Sequence, residues 1–272
     1  MGRAAFWQGK CVVVTGASSG IGLALCRELA RRGARIGMIA RGRERLEAVC
    51  ASLLESEVEV SCYSADTRSR EEMASAVSYF ADRYGPCDVL IANAGIYRNT
   101  SGLQFEAQAA DDVIVTNVVG VVNAIGAVLP LMVGRNHGHL VGVASLGAMI
   151  GLPGAGAYCA SKSAVVTLLE SLRIDLRKTK VRVTTVSPGF VDTPMITDEE
   201  RQTLRYLLSA EQAATRIVRA IEQGRSEYWF PWQLWIQLKL LRAAPLWLYK
   251  LLAPLVEEME ESEASGSRER QN

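Results

Sequence analysis

The chain has 272 residues, of which 30 are Lys or Arg and 29 are Asp or Glu, leaving a formal charge of +1 at pH 7. That balance gives no broad positive field, so nucleic acid is not an expected partner. Six cysteines (11, 26, 50, 62, 87 and 159) stand without a CxxC pair and the two histidines, His137 and His139, share one glycine-flanked turn; this argues against a disulfide framework and against metal chemistry, and suits a reducing, cytoplasmic compartment.

Met1 to Lys10 lack an apolar signal core, and Phe6 stands where a myristoylation motif wants Ser or Thr, so the fold is expected to start almost at once. Cys11-Val12-Val13-Val14-Thr15 is an apolar run ending in a glycine turn, and Ile21 to Arg32 then carries apolar residues at helical spacing. Strands Arg35–Ala40, Val58–Ser64 and Val89–Asn93 follow, separated by helices Glu44–Leu54 and Glu71–Tyr84. A long helix Asp111–Val133, strand Leu140–Ser145, helix Ala157–Lys178 and strand Val181–Ser187 extend the alternation. Strands that are apolar on nearly every residue, alternating with helices, predict a single α/β domain: a Rossmann-type, doubly wound parallel sheet in three α/β/α layers.

After Pro188 the pattern weakens, through a polar stretch around Thr197 to Gln202, until Ser209, and that gap reads as a mobile substrate loop. Ser209-Ala210-Glu211-Gln212 is a capping-box start for a helix to Gln223, and Glu227–Phe230 reads as a last strand closed by Pro231. Residues 229–256 hold four of the five tryptophans; Lys239, Arg242 and Lys250, with prolines at 231, 245 and 254, interrupt any run long enough to span a bilayer. Two amphipathic helices hinged at Pro245 fit better, serving as peripheral membrane contact, active-site cap or subunit interface. The expected organisation is a domain over 1–231, a helical extension over 232–256 and a disordered tail over 257–272.

Tyr158 and Lys162 stand four residues apart, on one face of their helix. An ammonium beside a phenol favours the phenolate and lowers a pKa that is ordinarily about 10, which makes the pair a proton-handling device; a buried ring beside a solvated charge is the plainer alternative. Thr15-Gly16-Ala17-Ser18-Ser19-Gly20-Ile21-Gly22 lies between the first strand and the first helix, where glycines permit close backbone approach and a helix N-terminus favours phosphate. Its Gly-x3-Gly-x-Gly spacing, with the preceding threonine, resembles the fingerprint of the classical short-chain dehydrogenase/reductase family.

The resemblance extends from about residue 9 to about residue 231 through several motifs in family order. It implies that Asp66 lies at the adenine, that Asn93-Ala94-Gly95 follows the fourth strand, and that Pro188-Gly189, Val191 and Thr193 line the nicotinamide end. Ala92 stands where the family has the first asparagine of that stretch, which removes one structural hydrogen bond. It further implies a catalytic set of Asn117, Ser145, Tyr158 and Lys162: Tyr158 exchanges the proton, Lys162 lowers its pKa and holds the nicotinamide ribose, Ser145 binds the substrate oxygen, and Asn117 anchors a relay water. At the end of the second strand Ala40-Arg41 offers a guanidinium and no acid, which predicts NADP(H). The aromatic C-terminal segment points to an apolar, lipid- or sterol-like carbonyl or alcohol, and the family implies a homodimer or homotetramer. The competing readings are a membrane-associated cofactor-binding regulator without turnover and a sugar-nucleotide epimerase or dehydratase.

Overall fold

Side chains along the strands point alternately into two apolar layers, which splits the core in two. In the computed structural model, which describes residues 6–54 and 58–243, Val12 and Val14 of β1 (Cys11–Thr15) face one apolar layer while Cys11 and Val13 face the other. β2 (Arg35–Ala40), β3 (Val60–Ser64), β4 (Val89–Ala92), β5 (Gly138–Val143), β6 (Val181–Pro188) and β9 (Glu227–Phe230) complete a parallel sheet of seven strands in the order β3-β2-β1-β4-β5-β6-β9. Strands covered on both faces have no solvent side to mark with polar residues, which is why they read as continuous apolar runs.

One layer packs α1 (Gly20–Ala30), α2 (Arg43–Leu54) and α8 (Ala210–Glu222) on the sheet. The other packs α3 (Arg70–Tyr84), α6 (Gly156–Asp175) and a long helix of α4 (Ala107–Ile114) and α5 (Gly120–Gly134). Strand order reverses between β1 and β4, and in such a sheet the crevice beyond the carboxyl ends at that point is where ligands bind.

Several boundaries differ from the sequence reading. The long helix begins at Ala107, four residues earlier than Asp111, and Val115–Val119 form a π-turn inside it, so Asn117 sits on a local widening. β5 starts at Gly138 and ends at Val143, because Ser145 leaves the ladder to cap a 3₁₀ turn over Leu146–Met149, its hydroxyl accepting from Gly147 N–H at 3.0 Å. The stretch read as a mobile loop contains β7 (Val191–Asp192), α7 (Asp198–Thr203) and β8 (Leu208–Ser209), with β7 and β8 paired in parallel. The capping box at Ser209 and Gln212 is present as expected. Of the two C-terminal helices, α9 (Trp232–Ala243) is described; the second helix and the tail lie outside the described residues.

Candidate active site

Thr15 ties the two strand ends that flank the switch point. Its hydroxyl accepts from the backbone N–H groups of Asn93 and Ala94, each at 3.0 Å, and Asn93 Nδ2 donates to the Thr15 carbonyl at 3.0 Å. Asn93 thus supplies side-chain bracing next to Ala92, the position where an asparagine is missing.

The turn Gly16–Ser19 then enters α1 under steric limits that only glycine meets. Gly20 has φ +51°, and a Cβ there would fall 2.9 Å from Thr193 Cγ2; on Gly22 it would fall 2.1 Å from the Gly16 carbonyl oxygen. Ser19 makes no side-chain cap and the first turn of α1 has no acid, so its N–H groups and partial positive charge stay available to an anion. Ser18 and Ser19 flank that opening, and Ile21 is partly buried behind it. The residues present therefore fit a dinucleotide pyrophosphate.

Beyond β2, Arg41 is exposed. Arg43 pairs with Glu47 across one helical turn at 3.6 Å, as a surface residue of α2 would. Burial alone would raise the Asp66 carboxyl, but hydrogen bonds and charge from Arg68, with Arg41 adding, hold it below the usual carboxylate range. Asp66 is also held locally by Arg68 N–H at 2.9 Å, leaving its loop fixed beside Arg41.

At the carboxyl ends of β4 and β5 the structure brings Asn117, Ser145, Tyr158 and Lys162 together. Gly95 separates two of them so narrowly that a Cβ on it would lie 3.2 Å from Asn117 Oδ1 and 3.3 Å from Lys162 Nζ. Asn117 Oδ1 accepts from Ile96 N–H at 2.8 Å, and its Nδ2 donates to the Ile96 carbonyl and to Ser161 Oγ, both at 3.0 Å. This amide clamps the chain after β4 against α6. Ser145 and Tyr158 meet across Gly147, and Tyr97 sets its ring edge-on to Tyr158 with centroids 5.8 Å apart.

The pKa directions correct one expectation. Burial pushes the Tyr158 phenol above its ordinary value, opposed by the Ser145 hydroxyl; Lys162 is not what moves it. Tyr158 as a whole is only half-buried, and a substrate seated against it would enclose the phenol further, in the same direction. Burial meanwhile lowers Lys162 to about 8. The physical reason is geometric: Lys162 Nζ donates to the Val143 carbonyl at 3.0 Å and stands 5.7 Å from the Tyr158 ring centre, so desolvation governs both groups. At neutral pH the phenol keeps its proton and the lysine is mostly charged.

Pro188 closes β6 and Val191 is buried in β7. A Cβ on Gly189 would lie 3.0 Å from Leu234 Cδ2 and 3.3 Å from Leu146 Cδ1. The sequence reading offered this segment as an active-site cap among other roles but did not single out Leu234 or Arg242 as parts of the wall: α9 leans over the 3₁₀ turn beside Ser145, and Arg242 donates to the Met149 carbonyl at 2.7 Å. It missed Tyr97 as well. The only sequence signal was the density of aromatic residues near Pro231.

The family model described as short chain dehydrogenase matches residues 10–204. An uncharacterised oxidoreductase of Myxococcus xanthus is 36% identical over 236 residues, covering 87% of this chain and 93% of its own. A putative ketoacyl reductase of Streptomyces coelicolor is 37% identical over 219 residues, covering 79% and 84%. Among solved structures, a short-chain dehydrogenase/reductase from Burkholderia phymatum in complex with NAD superposes with TM-score 0.82 at 25% identity, covering 87% of this chain and 94% of that one. Actinorhodin polyketide ketoreductase with NADPH superposes with TM-score 0.75 at 32% identity, covering 81% and 94%.

Proposed function

Because the chain belongs to the short-chain dehydrogenase/reductase family and is an oxidoreductase of that type, we propose that it is an NADP(H)-dependent enzyme that reduces a carbonyl on an apolar substrate. The observation that carries this reading is the placement of Tyr158 against Ser145, with Lys162 buried behind them, at the mouth of the crevice; burial raises the phenol above its ordinary value and so favours its neutral form. A neutral phenol is the form that donates a proton to a developing alkoxide.

When bound, the nicotinamide supplies the hydride. Tyr158 Oη delivers the proton to the substrate oxygen, and the Ser145 hydroxyl, already beside that phenol, orients the same oxygen. The mostly charged Lys162 would hold the ribose hydroxyls of the bound cofactor, and the phenolate left by the transfer takes its proton back from solvent, to which the half-buried Tyr158 is open. Asn117 has its side-chain amide committed to Ile96 and Ser161; we assign it the role of fixing the floor of the site, with any relay water held against the widened π-turn.

Arg41 supports NADP(H) over NAD(H), since a guanidinium at the end of β2 pairs with a 2′-phosphate where an acid would repel it. The actinorhodin ketoreductase with NADPH and the Burkholderia enzyme with NAD show that relatives of this fold accept either cofactor. Leu234, Leu146 and Tyr97 beside the site favour an apolar carbonyl. Ile114, Val115, Val119 and Val122 leave an apolar strip on the outer face of the long helix, which suits pairing with a second copy.

A scan of carbonyls from small aldehydes to long-chain and sterol-like ketones, following NADPH and NADH oxidation, tests the proposal. Turnover of long apolar ketones with NADPH is expected. Tight NADPH binding with no turnover across the scan would instead favour a cofactor-sensing protein.

A further inference from the structure

α9 is apolar on two faces, and among the described residues only one is covered. With about 3.6 residues per turn, Leu234, Leu238 and Leu241 share one side, and all three are partly buried. Leu234 on that side meets Gly189 at the catalytic wall. Trp232, Ile236 and Leu240 recur every fourth residue on the opposite side and are 64%, 39% and 68% exposed. A helix with a second apolar stripe needs a second partner.

Charge identifies what that partner is. α9 has no acidic residue; Lys239 borders the stripe and is exposed, while Arg242 turns toward the Met149 carbonyl. The sequence keeps this character past the helix: from Trp232 to Val256 there are three basic residues and no acidic one, with Trp247 and Tyr249 among leucines. Aromatic and leucine side chains bordered by lysine and arginine are the chemistry of a helix lying in the plane of an anionic bilayer surface.

We propose that α9 docks the enzyme on an anionic lipid surface through Trp232, Ile236 and Leu240, with Lys239 reaching the headgroups. Leu234 belongs to the wall of the active site and the stripe to the opposite side of the same helix, so docking sets the crevice one helix diameter from the lipid. A long-chain carbonyl then enters from the bilayer without crossing water. This deepens the reading of an apolar substrate, but the docking is measured without turnover, so the two can fail separately.

The test is sedimentation of the full-length protein with vesicles of phosphatidylcholine containing about a quarter phosphatidylglycerol. Wild type is expected to pellet with these vesicles, and less with pure phosphatidylcholine. Replacing Trp232, Ile236 and Leu240 together by Ser is expected to weaken binding about tenfold or more, because each loses apolar area buried in lipid. The same variant should keep wild-type activity on a short, water-soluble ketone, which also shows that it folds. Failure of the wild type to pellet, or equal pelleting of the triple variant, overturns the proposal. If wild type does not pellet and light scattering shows the triple variant at lower mass than wild type, the stripe is a contact between copies. If the mass is unchanged, the stripe is covered by the chain's own residues beyond 243.

Discussion

At the scale of single residues, the central point is that burial, more than the charge of a neighbour, sets the protonation of Tyr158 and Lys162. Spacing alone made the pair legible, since four residues on a helix fix a shared face; the sign of the tyrosine shift was not legible, because it depends on where the Lys162 ammonium finds its acceptor, which is the Val143 carbonyl. Reduction should therefore lose rate as pH rises through about 8, where Lys162 gives up its proton. A pH profile of kcat/KM with NADPH checks this, and a flat profile from 7 to 9 would contradict it, those bounds being about one unit either side of that value. Stability carries the same signature. Lys162 falls from an ordinary 10.5 to about 8 on folding, so between those values the unfolded chain holds more protons and cofactor-free stability rises with pH. Below about 8 the cost of the buried ammonium is fully present. Lys162→Met removes that cost, whatever constant offset the orphaned Val143 carbonyl leaves. The variant's stability relative to wild type in urea should be greatest near neutral pH and decline toward 10.5; a difference independent of pH would refute the buried charge.

At the scale of elements, strands and most helices were readable because a sheet covered on both faces writes itself as apolar runs, and because Ser209 and Gln212 cap α8 as their sequence predicts. The π-turn at Val115–Val119 was not readable, since a local change of winding leaves apolar periodicity nearly unaltered. Nor was the seat of α9: its aromatic content announced a partner, but whether the helix faced the site, the solvent or both depended on the fold around Gly189 and Met149. The end of β2 is the element on which cofactor choice rests. Arg41→Asp should raise the KM for NADPH by about tenfold or more, the loss expected when a charge-assisted contact to phosphate becomes repulsion, and should narrow or reverse the preference over NADH. Unchanged KM values for both cofactors would make Arg41 a bystander, like Arg43, which pairs with Glu47 on the helix surface.

For the whole molecule, one topological fact organises the rest: the sheet reverses between β1 and β4, so the glycine turn, Asn93-Ala94-Gly95, Ser145 and Pro188-Gly189 all meet at the same edge. Residues far apart in sequence become one site because parallel strands deliver their carboxyl ends together. The order of these motifs was visible in the chain, but Leu234, Tyr97 and Arg242, which complete the walls, come from segments with no fixed spacing to the rest. In the proposed function this edge performs proton transfer through Tyr158 for an NADPH-dependent reduction. NADPH binding by fluorescence and ketone-dependent NADPH oxidation, measured side by side for wild type and Tyr158→Phe, test it most directly. Both proteins should bind NADPH alike while the variant loses turnover by about a hundredfold or more; a folded variant that keeps wild-type turnover would contradict the account.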